Sequence, residues 1–157
     1  MPSHSRSFSV GLISDTHGLL RPEALRALHG SRYIVHAGDI GDPAILEALA
    51  RLAPVTAVRG NNDTGSWARK LPDRAVLDAG GVRIYVLHDL KTLDVDPSSE
   101  GFHAVVAGHS HNPAELRREG VLYVNPGSAG PRRFKLPVSV GTLMVRPSGI
   151  TCRLIGL

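Results

Sequence analysis

The chain of 157 residues has one cysteine, Cys152, and aromatic residues make up only 4% of it. A single cysteine excludes an internal disulfide and fits a reducing compartment, so a cytoplasmic location is expected. Its burial tendency reads Cys152 as an apolar residue of a late strand. The one tryptophan, Trp67, cannot by itself make a stacking platform for single-stranded nucleic acid. No apolar run exceeds strand length, so no membrane-spanning segment is expected. Residues 1–6 are polar, without the hydrophobic core of a secretory signal, and read as a tail ahead of a domain at 7–157. A net charge of +4 is modest and does not point to nucleic acid. Arg117 and Arg118, and the group Arg132, Arg133 and Lys135, fit either a solvated face or the steering of an anionic substrate.

The length suits one domain that buries its apolar surface without staples. Ser7 to Ser14 reads as a buried strand, and Pro22 opens an amphipathic helix with Ala24, Leu25 and Leu28 inward and Gly30 as its stop. Tyr33 to Ala37 is a second strand. Asp42-Pro43 caps a second helix carrying Ile45, Leu46, Leu49 and Leu52 on one face, and Val55 to Val58 is a third strand. This order implies right-handed crossovers and a parallel sheet. The second half is β-rich: hairpins are expected around Gly80-Gly81, Glu119-Gly120 and Pro147-Ser148-Gly149, with a buried strand at Ala104 to Ala107. Two sheets packed face to face, with helices outside, is the expected α/β architecture. Asp96-Pro97-Ser98-Ser99 argues against a long helix in 89–103.

Polar groups punctuate the apolar runs: Asp15-Thr16-His17, Gly38-Asp39, Gly60-Asn61-Asn62-Asp63, His88 and Gly108-His109-Ser110-His111. Each follows a strand, and the carboxyl ends of parallel strands share one edge, where open α/β sheets bind ligands. The expected cluster holds three carboxylates, one or two amides and four imidazoles, enough for two divalent metals. Asp39 has two oxygens and can bridge a pair of ions. Asn61 offers a neutral carbonyl oxygen, and His88, His109 and His111 offer ring nitrogens. Singly these pieces are ordinary loop features; five in order are not.

With these motifs the chain resembles the calcineurin-like metallophosphoesterases, whose motifs run Asp-x-His, Gly-Asp, Gly-Asn, His and Gly-His-x-His. Gly60-Asn61-Asn62-Asp63, Asn125-Pro126-Gly127-Ser128 and Pro131-Arg132 ahead of Pro137-Val138-Ser139 resemble its small bacterial and archaeal phosphodiesterase branch. The resemblance spans Ser9 to Ile155 and implies an αββα sandwich. It implies one metal on Asp15, His17, Asp39 and His111, and a second on Asp39, Asn61, His88 and His109. Asp39 and His88 would serve catalysis, and Asn62, Asn125 and Ser128 would meet the substrate. Two ions would acidify a shared water for in-line attack on a small phosphate ester. Donors without thiolate favour manganese, iron, zinc, nickel or cobalt. Family members of this size are often oligomeric, so a homo-oligomer is open.

Departures from the family pattern bear on chemistry. Many members carry Gly-Asn-His-Glu, where the histidine helps protonate the leaving group; here Asn62 stands in its place and cannot donate as a general acid. That assistance is commonly worth about 10²–10⁴-fold, so leaving groups needing little protonation are expected. Asp89 follows His88 where glycine is frequent, and 89–103 is short for the helix the family places there. His36, three residues before Asp39, fits either a support for the site from behind or a core histidine. His4 and His29 read as surface residues, and His103 as the start of a strand. A non-catalytic scaffold is the alternative, because a eukaryotic retromer subunit resembles this fold; retention of all seven candidate ligands argues against it. A nuclease of the superfamily would need a DNA-positioning domain, and a serine/threonine protein phosphatase is disfavoured by length and by Asn62.

Overall fold

The computed structural model describes residues 7–157; the polar stretch 1–6 lies outside the described residues. The run Val10-Gly11-Leu12-Ile13 is apolar on both faces because its strand, β1 (Phe8–Ile13), is covered on both sides. Alternate residues point to opposite layers: Val10 and Leu12 enter the core between two sheets, while Ile13 packs under the helices. The same alternation places Val35 inward and Ile34 outward on β2 (Tyr33–His36).

The first sheet has the order β10-β9-β1-β2-β3, with β3 at Val55–Ala57, β9 at Ser139–Arg146 and β10 at Gly149–Gly156. β1, β2 and β3 are parallel, and β9 and β10 add antiparallel strands. Helices α1 (Pro22–Leu28) and α2 (Pro43–Ala50) make the crossovers. Proline supplies the first helical residue of each, and the Asp42 side chain accepts from the Ala44 amide. Ala24, Leu28, Ile45 and Leu49 bury themselves against this sheet.

The second sheet has the order β4-β5-β6-β8-β7: β4 Arg74–Ala79, β5 Val82–Leu87, β6 Ala104–Val106, β7 Ala114–Arg118 and β8 Val121–Asn125. β5, β6 and β8 are parallel. Gly80 and Gly81 both have positive φ, 57° and 84°, as a two-residue hairpin turn requires. Leu77, Ile84, Val86, Leu122 and Val124 meet Val10, Leu12 and Leu143 of the first sheet.

The two packed sheets are as expected, and two finer expectations need correction. The motif-bearing strand ends do not lie along one parallel sheet; they come from two facing sheets, because the chain leaves the first sheet after β3 and starts the second at β4. A short helix, α3 (Ser66–Arg69), follows β3, its four residues too few to show a periodic pattern. Helices cover only the first sheet among the described residues. Across the second sheet, 89–103 forms a 3₁₀ turn at Leu90–Thr92 and irregular chain that packs Leu93, Val95 and Phe102 inward.

Candidate metal centre

The loops that follow β1 and β2 run side by side past the strand ends. The amides of Asp15, His17 and Gly18 donate to the carbonyls of Gly38, Asp39 and Ile40 at 2.8–3.0 Å. From the facing sheet, the His109 amide donates to Asp15 Oδ2 at 3.1 Å, and the Ser128 hydroxyl donates to the Asp15 carbonyl at 3.0 Å. The backbone is tight here. A Cβ on Gly60 would lie 2.1 Å from Asp39 Oδ1, so only glycine fits beneath that carboxylate. Asp15, His17, Asp39, His109 and His111 all have φ between 45° and 72°. Left-handed backbone is disfavoured for such residues and collects at functional sites.

Five ring or carboxylate atoms converge. Asp15 Oδ1 lies 3.5 Å from His111 Nε2, 3.8 Å from His17 Nε2 and 4.0 Å from His88 Nε2. Asp39 Oδ2 lies 3.3 Å from His88 Nε2 and 3.7 Å from His17 Nε2. Asp15, His17 and His111 form one group able to hold an ion, and Asp15, Asp39 and His88 another. Asp15 is common to both groups, whereas the resemblance gave the shared role to Asp39; both carboxylates reach histidines of the two halves. His109 adjoins the second group, its Nδ1 3.3 Å from His88 Nε2.

Hydrogen bonds orient these donors. His88 Nδ1 lies 2.8 Å from the Ala37 carbonyl, which makes Nδ1 the protonated nitrogen and leaves Nε2 toward the carboxylates. Burial works against charge on the His88 ring, yet Asp39 and the Ala37 carbonyl outweigh it and raise its pKa. Burial alone would raise Asp39 as well, but hydrogen bonding from His88 and Asn62 holds it well below the usual carboxylate range. Burial dominates at Asp15, whose carboxyl is raised, and at His111, whose ring is lowered. Asp15 Oδ1 and His111 Nδ1 are buried without a hydrogen-bond partner among the described residues. A buried carboxylate oxygen facing three imidazoles and no donor suits a cation.

The other expected site residues make contacts of their own around this cluster. Asn61 is exposed. The neighbouring Asn62 reaches in instead: its amide N–H donates to Asp39 Oδ1 at 2.9 Å and its Nδ2 to Asp39 Oδ2 at 3.0 Å. The third expected carboxylate, Asp63, is not in the cluster; it accepts from the amides of Ile40, Gly41 and Gly60 at 2.9–3.1 Å. Asn125 donates to the Gly108 carbonyl and the Ser110 hydroxyl and accepts from the Gly127 amide. Asn125 and Ser128 therefore hold loops in place. His36 supports the site from behind, through Thr16. The anchoring role of Asp63 has no signal in the sequence, since only the tertiary fold brings those three amides to one carboxylate.

Fold and cluster together define a metal-binding phosphoesterase. Residues 8–147 match the calcineurin-like phosphoesterase superfamily domain, and the chain belongs to that family. A probable metallophosphoesterase of Methanocaldococcus jannaschii is 33% identical over 132 residues, 76% of this chain and 67% of the relative. Among solved structures, an archaeal phosphodiesterase superposes with a TM-score of 0.80 at 22% identity, covering 95% of this chain and 99% of its own. Vps29 of Entamoeba histolytica complexed with zinc has a TM-score of 0.72 at 19% identity, covering 94% of this chain and 98% of its own. No helix among the described residues is long and apolar enough to cross a membrane.

Proposed function

We propose that this chain is a phosphodiesterase that hydrolyses a small phosphate ester with two divalent ions. Buried Asp15 Oδ1 carries the reading: three imidazole nitrogens lie within 4.0 Å of it, and among the described residues no hydrogen-bond donor serves it. In this reading Asp15, His17 and His111 hold one ion and Asp39, His88 and His109 the other, with Asn61 at the mouth as a further amide ligand. Asp39, the expected bridge, and Asp15 both lie between the halves. Oxygen and imidazole donors suit manganese first, with iron, zinc, nickel and cobalt as alternatives. When bound, such a pair supplies hydrolysis at neutral pH by acidifying water and neutralising phosphoryl charge.

The protein's own groups set the rest. The Ala37 carbonyl fixes the His88 tautomer, so Nε2 faces the reacting side. Asp39 stays ionised across the physiological range. Asn62 gives its backbone N–H and one Nδ2 hydrogen to Asp39, which leaves the second Nδ2 hydrogen for a phosphoryl oxygen; it carries no titratable proton, so the leaving group departs with little protonation from this position. Asn125 and Ser128 position the loops that carry His109, His111 and Asp15. The scaffold alternative shares the fold, and turnover is what separates the two readings.

The test is a panel of aryl phosphodiesters, monoesters, cyclic nucleotides and dinucleotide polyphosphates on one metal-reconstituted preparation. Aryl diesters should turn over, and Asp39→Asn should lower kcat by more than about 100-fold, as loss of a metal ligand does. Plotted against leaving-group pKa, log kcat should fall steeply, and Asn62→His should flatten that slope. A flat wild-type slope with chemistry rate-limiting would assign the proton to another group. Metal-loaded protein inert toward every ester would favour the scaffold.

A further inference from the structure

The two sheets are covered unequally. Helices shield the first, while the outer face of the second carries Tyr85, Leu87, Val105, Ala107 and Val121, closed over at one side by Leu93, Val95 and Phe102. Toward β7 the face is open, and Leu90 and Leu116 are 45% and 54% exposed. A groove of about 570 Å³ lies there, walled by Leu90, Leu93, Val105, Ala107, Leu116 and Tyr123. Asp89, Gly108, His109 and Ser110 also line it. His109 is therefore shared with the candidate metal centre. The size and apolar lining are those of small-molecule sites, about 300–1,000 Å³.

The wall is held in place. Tyr85 donates from its hydroxyl to Asp94 at 3.2 Å, Arg74 pairs with Asp94 at 3.1 Å, and Arg74 also donates to the Thr92 carbonyl. These bonds strap the 3₁₀ turn bearing Leu90 to β4 and β5. On the opposite side, the Arg118 guanidinium lies 5.9 Å from the Tyr123 ring centroid and orders that face.

We propose that this groove is the subsite for the apolar organic arm of the diester, with the phosphate at the metal centre and the arm passing over His109 onto Leu90, Leu116 and Tyr123. The proposal rests on the phosphodiesterase reading of that centre. Continuity through His109 selects the substrate as occupant: a group tethered to a phosphate beside His88 enters the groove without leaving the protein surface. The arm that remains on phosphorus, rather than the leaving group, is the specificity determinant it reads.

Two esters with the same p-nitrophenolate leaving group separate this from leaving-group effects: phenyl p-nitrophenyl phosphate and methyl p-nitrophenyl phosphate. On the manganese-reconstituted full chain, the phenyl ester should be preferred about tenfold in kcat/KM, as partial burial of a ring predicts. Calorimetry should show a similar preference for diphenyl over dimethyl phosphate. Leu116→Asp and Leu90→Asp should each reduce both preferences to about twofold or less. Val76→Ser, at an exposed apolar site on the far edge of the same sheet, should retain them. No aryl preference in the wild type, or a preference kept by both groove variants, would overturn the proposal. So would a wild-type dimer that Leu116→Asp dissociates without altering the preference, which would assign the groove to a second copy. If no ester turns over but diphenyl phosphate binding still depends on Leu116, the phosphodiesterase reading fails and the groove stands.

Discussion

His36 shows how one buried side chain sets the position of two loops. The Gly38 amide donates to its Nδ1 at 3.1 Å, so the proton sits on Nε2, 3.0 Å from the Thr16 hydroxyl, which itself donates to the Ile40 carbonyl at 2.8 Å. The chain of bonds links the residue between Asp15 and His17 to the residue after Asp39. It works only with a neutral ring, and burial, reinforced by His88, pushes the pKa down to about 3. An unfolded histidine titrates near 6.5, so below that value the unfolded state binds the extra proton and the folded state does not. Stability should therefore fall as the pH drops from about 6.5 toward 3, with His36 contributing about 2 kcal/mol of loss between pH 7 and pH 5. Urea unfolding at the two pH values, in wild type and His36→Gln, measures it. The variant should be less stable at pH 7 and lose this part of the acid sensitivity; an equal pH dependence in both would remove His36 as its source.

At the scale of elements, the loops matter more than the strands they follow. Asp63 is not in the cluster, yet it gathers three amides from the loops after β2 and β3. Asp63→Ala should cost about 2–4 kcal/mol, the range for hydrogen bonds to a charged acceptor with donors left unpaired. It should also weaken metal binding, because the Asp39 loop loses its anchor. Denaturant unfolding and metal titration together check this; unchanged metal affinity despite lost stability would limit Asp63 to general support. The strand–helix alternation of the first half was legible because Leu25, Leu28, Ile45 and Leu49 repeat at helical spacing. The role of Asp63 was not, since a carboxylate three residues after a glycine looks the same whether it binds an ion or caps a turn.

Across the whole molecule, the centre staples two sheets. Asp15, His17 and Asp39 follow strands of the first sheet, and His88, His109 and His111 follow strands of the second. Ions held between them bind the folded chain and not the unfolded one. Manganese at about 100 times its Kd should add about 2.7 kcal/mol per site, a rise in Tm of about 5–10 °C for a chain of this length. Calorimetry with manganese and with chelator checks this. Leu12→Ala, which empties part of the core between the sheets, should cost about 2–5 kcal/mol and leave the manganese increment intact. Equal melting with and without metal would break the link between centre and fold.

Which donors exist, and where they sit along the chain, is settled by local pattern alone. Asp15, His17, Asp39, His88, His109 and His111 each follow an apolar run long enough for a strand, and that spacing depends only on local pattern. Which atoms meet was decided by pairing between distant segments. The division into two sheets placed Asp15, rather than Asp39 alone, between both groups of histidines. It set two amide groups of Asn62 on Asp39 and gave Asn125, Ser128 and Asp63 bonds that hold loops. It also left the face beside His109 open, because 89–103 packs as a strap and not as a covering helix. Local periodicity carries no information about such choices, since hydrogen bonds and close packing between residues a hundred positions apart depend on the assembled geometry.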